Sequence, residues 1–141
     1  MKLEVMLSLR GQQSYAGQEP ETIELVTEGI LEKKGSTWHL QYQESALTGL
    51  DGVTTTFVVE PKKITLERTG KLNSQMVFQE NVAHDSLYQM EFGALMLSVC
   101  ATKVTAYLSE NGGTIDLVYS IEIEQNAAGI IVYHLEITPK K

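Results

Sequence analysis

The chain reads as an all-β domain: a single antiparallel, up-and-down β-barrel of about eight to ten strands covering residues 1–141. Three observations predict this. Apolar residues recur at every second position through most of the chain. No long stretch carries them at helical spacing. Turn residues interrupt the alternation at intervals suited to hairpins, which favours a meander. Closing the sheet also removes the edges that such long apolar strands would otherwise expose.

The elements follow in order. Leu3, Val5, Leu7 and Leu9 alternate with Lys2, Glu4, Ser8 and Arg10, with Met6 breaking the polar side. Gly11 to Glu21 is polar, contains Gly17 and Pro20, and reads as a long loop. Ile23, Leu25, Thr27, Gly29 and Leu31 share the next inner face, against Glu24, Glu28 and Glu32. A glycine within a strand marks a bend or a close backbone approach. After Lys33-Lys34-Gly35, the residues Trp38, Leu40, Tyr42 and Glu44 fall on one face. Ala46 to Gly52 is a connection, and Val53, Thr55, Phe57 and Val59 line the following strand up to Pro61.

Ile64, Leu66 and Arg68 share the face of the next strand, which ends at Gly70. Met76 and Phe78 mark a short strand. Glu80 to Met90 fits a strand, a short helix or a loop, and Glu91-Phe92-Gly93 reads as a turn. Ala94 to Ser109 begins apolar on both faces. Asn111-Gly112-Gly113 is a hairpin signal. Ile115, Leu117, Tyr119, Ile121 and Ile123 then alternate with polar residues, Asn126 to Gly129 turns, and Ile131, Tyr133, Leu135 and Ile137 finish the sheet.

The composition narrows the function. A net charge of −7 and a pI near 4.9 oppose binding to nucleic acid or to an anionic membrane surface. The single cysteine, Cys100, rules out an intrachain disulfide framework. The N-terminal residues lack a signal-peptide core, and the longest apolar run, Ala94 to Ala101, is too short to span a bilayer. The expectation is a cytoplasmic protein.

The sharpest chemical hint is that the faces holding Trp38, Leu40 and Tyr42 and holding Ile64 and Leu66 each end in a charge, Glu44 and Arg68, of opposite sign. Two readings stand. The charges form an internal ion pair closing one end of the barrel, since a buried charge needs a partner. Or Arg68 anchors a ligand carboxylate with Glu44 beside it and Tyr42, Tyr119 or Tyr133 as hydroxyl donors. His39, His84 and His134 are far apart and show no ligand-like spacing, so no metal is expected. No nucleophile, acid–base or phosphate-loop motif is present, so neither an enzyme nor a cofactor is expected. Val26, Ile30, Met96 and Cys100 occupy outward positions, as scattered surface residues or as a homodimer contact.

Several segments, taken in order, are similar to the YwiB-like bacterial proteins. They are Glu28-Gly29, Tyr42-Gln43-Glu44-Ser45, Thr48-Gly49-Leu50-Asp51-Gly52, Thr55-Thr56, Arg68-Thr69-Gly70 and Met76-Val77-Phe78. Tyr88-Gln89-Met90-Glu91-Phe92-Gly93 keeps that family's Tyr, aromatic and Gly but lacks its Thr-Pro. The resemblance implies a calycin-like barrel akin to lipocalins and fatty-acid-binding proteins, and no known activity. The lipocalin Gly-x-Trp signature is missing, because Gly35 and Trp38 are separated by two residues. The functional expectation is a small apolar or amphipathic ligand inside the barrel. The alternative is a solid barrel that serves as a structural or protein-interaction module.

Overall fold

The computed structural model describes residues 2–15, 19–45, 51–90, 93–124 and 126–140. These form ten strands: β1 (Lys2–Tyr15), β2 (Glu21–Lys34), β3 (Thr37–Gln43), β4 (Val53–Glu60), β5 (Lys63–Gly70), β6 (Ser74–Phe78), β7 (Ala83–Met90), β8 (Gly93–Ser109), β9 (Gly112–Ile123) and β10 (Asn126–Pro139). All named pairings are antiparallel, and the order in the sheet is β6-β5-β4-β3-β2-β1-β10-β9-β8-β7. The chain is thus a meander whose first and last strands zip together mid-sheet, from Val5↔Pro139 to Tyr15↔Gly129. No helix among the described residues is long and apolar enough to cross a membrane.

The sheet curls until β6 and β7 nearly meet. Asn73 and Gln89 exchange backbone hydrogen bonds of 3.0 and 2.9 Å. At the other end, the Val82 amide donates to the Gln79 carbonyl at 3.1 Å. Between these bridges, the Ser86 hydroxyl donates to the Gln75 carbonyl. A side chain here stands in for a ladder bond, and the barrel is nearly closed.

The inner face is filled. Val5, Leu7, Leu31, Leu40, Phe57, Ile64, Leu66, Phe78, Ile115, Leu117, Leu135 and Ile137 are fully buried in one continuous core. The alternation puts them there, because each occupies the inward phase of its strand. Gly29 shows the close approach expected of a strand glycine: a Cβ there would lie 2.8 Å from the Gln41 carbonyl oxygen and 3.0 Å from Leu7 Cδ1. At the β8–β9 hairpin, a Cβ on Gly112 or Gly113 would run into the carbonyl of Ile137 or Tyr107, which fixes glycine at both positions.

Four segments depart from the sequence reading or, at residues 80–90, settle what it left open between strand, helix and loop. Gly11 to Glu21 is not a loop throughout, because β1 continues to Tyr15 and β2 begins at Glu21, with pairing up to Gln13↔Glu21. Polar residues hold strand conformation there because β10 supplies ladder partners as far as Tyr15 and β2 as far as Gln13. Residues 80–90 resolve as a tight turn at Asn81, with φ 61°, followed by β7. The last reversal comes before Asn126, at Glu124 with φ 50°, where backbone and carboxylate both bond the Met96 backbone.

The fourth difference is a β-bulge in β8 between Ala101 and Lys103. Before it Leu97, Val99 and Ala101 point inward; after it Val104, Ala106 and Leu108 pack on the core. The bulge does not leave its polar groups stranded. The Asn81 backbone N–H donates to the Ala101 carbonyl at 2.8 Å, and the Val104 backbone N–H donates to the Glu80 carboxylate at 3.0 Å. Of the outward apolar residues, Val26 is 68% exposed, Ile30 and Met96 are exposed, and Cys100 is half-buried. The expected connection at 46–50 and turn residues 91–92 lie outside the described residues, as do residues 16–18.

Candidate functional site

One register row crosses the inner wall near an end of the barrel. It runs Val5↔Gly29↔Tyr42↔Thr55↔Arg68↔Ser74 over six neighbouring strands, β1 to β6. It starts apolar and ends polar, since Thr55, Arg68 and Ser74 take inward positions that Phe57, Leu66 and Met76 hold one pleat below. Glu44 stands two residues past Tyr42 on the same face, just beyond the end of β3. Its amide donates to the Val53 carbonyl at 2.9 Å, extending the ladder by one pair.

Glu44 is 6% exposed, so its carboxylate has lost most of its water. Hydroxyls replace that water. Thr55 Oγ1 donates to Glu44 Oε2 at 2.5 Å, and the Tyr42 hydroxyl bonds the same carboxylate. Charge-assisted bonds of this kind are short and strong. The Tyr42 hydroxyl is held far above its ordinary pKa, first by burial, then by the Glu44 charge and by Tyr133, with Arg68 pulling the other way. Tyr42 therefore stays protonated and acts as a donor.

The structure thus gathers Tyr42, Glu44 and Arg68 at one end of the barrel. Tyr133, beside Gly11 on the facing wall, lies within electrostatic reach of Tyr42. Tyr119 is buried with its ring tilted against Phe78 at 4.5 Å. Thr55 and Ser74 were missed by the sequence reading as members of the site. Their signal was a polar residue in the inward phase of an otherwise apolar strand.

Arg68 and Ser74 open onto a cleft of about 430 Å³ at the β6–β7 seam. Glu67, Thr69, Asn73, Gln75, Leu87 and Gln89 line it as well. Ser74 is 8% exposed, and its hydroxyl has no hydrogen-bond partner among the described residues. Such an orphan is uncommon in a folded protein. The cleft offers the Arg68 guanidinium, two hydroxyls and three side-chain amides around a leucine, together with the Glu67 carboxylate: mostly donors for an acceptor-rich head and a small apolar surface for a tail.

The histidines lie away from this row. His84 bonds Gln79 at 3.2 Å, and His134 bonds Asp116 at 2.6 Å and Glu136 at 3.2 Å. His39 lies on the outward phase of β3. Among the described residues, no group of three or more His, Cys, Asp or Glu side chains is arranged to hold a metal ion.

A second cavity, of about 220 Å³, lies at the opposite end of the barrel. Trp38, Val59, Ile64, Val104, Ala106 and Leu108 form its apolar wall, and Ser36, Glu60, Pro61, Lys62 and Lys63 its rim. The sequence reading did not find it, because it joins β3–β5 to β8, strands that are not neighbours in the sheet.

Comparison with known proteins adds two findings. In fold, the chain is similar to the ywiB protein from Bacillus subtilis, whose crystal structure superposes with a TM-score of 0.82 over 96% of this chain and 92% of that one. At 21% identity, that likeness speaks for the barrel alone. No curated protein matches the chain. A family described as a domain of unknown function (DUF1934) matches residues 7–137, which take in β2 to β9 whole and most of β1 and β10. The chain belongs to that family, in keeping with the ordered segments between Glu28 and Phe78.

Proposed function

We propose that this domain is a binding protein without catalytic chemistry, and that it takes a small amphipathic carboxylate at the Arg68 end of the barrel. The ligand's head meets Arg68 and Ser74, and its apolar part lies along Leu87. The observation that carries this reading is Ser74 in the wall of the cleft, its buried hydroxyl without a hydrogen-bond partner among the described residues. The filled centre of the barrel supports a ligand at the mouth over one inside. Glu44, with Thr55 and Tyr42, serves as the fixed base of the site and holds the wall in register.

Hexanoate titration followed by backbone NMR tests this. We expect shifts at Ser74 and Gln89 with hexanoate and none with its methyl ester. Ser74→Ala should weaken binding several-fold while leaving stability unchanged or improved, since it deletes an unsatisfied buried hydroxyl. Equal binding of acid and ester, or an unchanged affinity in Ser74→Ala, would sink the proposal.

A second reading, a homodimer, has an observation of its own. Ile130 and Val132 are exposed on the outer wall of β10, and Val132 faces Val118 across the ladder. Together they make an apolar stripe suited to a second copy of this chain. Light scattering at high concentration distinguishes the two: a dimer lost in Val132→Lys supports this reading, and a strict monomer removes it.

A further inference from the structure

From the cavity at the other end of the barrel, we infer a second binding site, specific for small anionic amphiphiles with an acyl or aryl tail. Its apolar wall is set by the β8 bulge, which turns Val104, Ala106 and Leu108 inward to face Trp38, Val59 and Ile64 across the barrel mouth. Ala106 is small, and the space beside it is part of the roughly 220 Å³ volume. A cavity walled by apolar groups and open at one side suits the tail of an amphiphile.

The charge around the opening selects the head. The chain as a whole carries −7. This mouth runs against that sign: Lys62 and Lys63 line it against Glu60, and Lys33 sits over the Trp38 ring with Nζ 5.4 Å from the centroid. Lys63 pairs with Glu60 at 3.8 Å, with both side chains well exposed. An exposed pair of this kind holds its partners weakly, so Lys63 can turn to an incoming anion. Within a Debye length of about 8 Å at physiological salt, these local cations outweigh the distant negative surface. A carboxylate head therefore finds lysines at the rim while its tail displaces water from the Trp38 wall.

Trp38 is the chain's only tryptophan, so its emission reports on this site alone. The experiment titrates the full chain with octanoate, 1-octanol and octylammonium. We expect a saturable change in Trp38 emission with octanoate, with at least tenfold weaker binding of the other two. Lys62→Glu combined with Lys63→Glu should weaken octanoate at least tenfold, and both positions lie on a turn or strand end where folding tolerates the change. Ala106→Leu should fill the space and abolish the response, with circular dichroism confirming the fold. Arg68→Lys should leave the octanoate affinity unchanged, which separates this site from the cleft at the other end. No change in emission with octanoate, equal affinity for octanol, or an unaltered affinity in the double lysine variant would each overturn the assignment.

Discussion

Thr55 on β4 donates its hydroxyl to the carboxylate of Glu44, just past the end of β3, across 2.5 Å, where both side chains are all but sealed from water. The bond resolves how a charge can sit on the inner face of an apolar strand. Water lost by the carboxylate is replaced in part by fixed hydroxyls, those of Thr55 and Tyr42. Removing one of them exposes the cost that it offsets.

Thr55→Val keeps the shape of the side chain and deletes the hydroxyl. Hydrogen bonds to a charged group contribute about 1.5–3 kcal/mol, so we expect a loss in that range by urea denaturation. Glu44→Gln weakens the bond from the other side. The double variant should be less destabilised than the sum of the two single ones, and strict additivity would show that the two groups do not act together.

Gly29→Ala should destabilise the barrel by roughly 1–3 kcal/mol, the usual cost of overpacking. The added Cβ would stand 2.8 Å from a backbone oxygen of β3, which cannot swing aside as a side chain would. Thermal unfolding measures this. An unchanged melting temperature would mean that the β2–β3 pairing relaxes freely.

His134 gives the fold a pH dependence. Bonds to Asp116 and then Glu136 raise its pKa above 6.5, against a smaller opposing effect of burial. Arg10, opposite His134 on β1, is the cation facing it, and its guanidinium is turned to Glu24. A raised folded-state pKa adds stability that is fully present below the unfolded value, near pH 6.5, and lost as pH climbs through the folded value. His134 is well exposed, so solvent screening keeps the effect small. Denaturation midpoints from pH 5.5 to 8.5 should fall more in the native chain than in His134→Asn.

Glu80→Gln should loosen the β8 bulge more than it alters global stability. The carboxylate accepts the Val104 amide at 3.0 Å near the surface, a bond worth about 1 kcal/mol. Hydrogen exchange at Val104 should quicken several-fold while amides in the paired centre of β9 hold their rates. Uniform acceleration through the sheet would show that the bulge is not a local unit.

Much of this architecture was legible in the chain. Period-two hydrophobicity located the inner faces of β1 to β5 and of β9 and β10, and placed Glu44 and Arg68 at one end of the barrel. Thr55 and Ser74 were equally readable by phase, yet a lone hydroxyl on an apolar face carries no label saying what it will meet. β7 was ambiguous because His84, Ser86 and Asp85 give it little contrast between faces, and because Asn81 makes its turn without glycine. The bulge left a trace in the switch from odd to even apolar positions between Ala101 and Val104. The Trp38 cavity left none, for it depends on strands that meet only across the closed barrel.

The pairing of β1 with β10 bears on how the protein is made. A nascent chain can fold its early hairpins as they emerge from the ribosome, yet one side of β1 has nothing to pair with until residues 129–139 follow. Long separation between partners slows that step. During synthesis the bare margin of β1 is thus the place where a chaperone, or a second unfinished copy, has its opening.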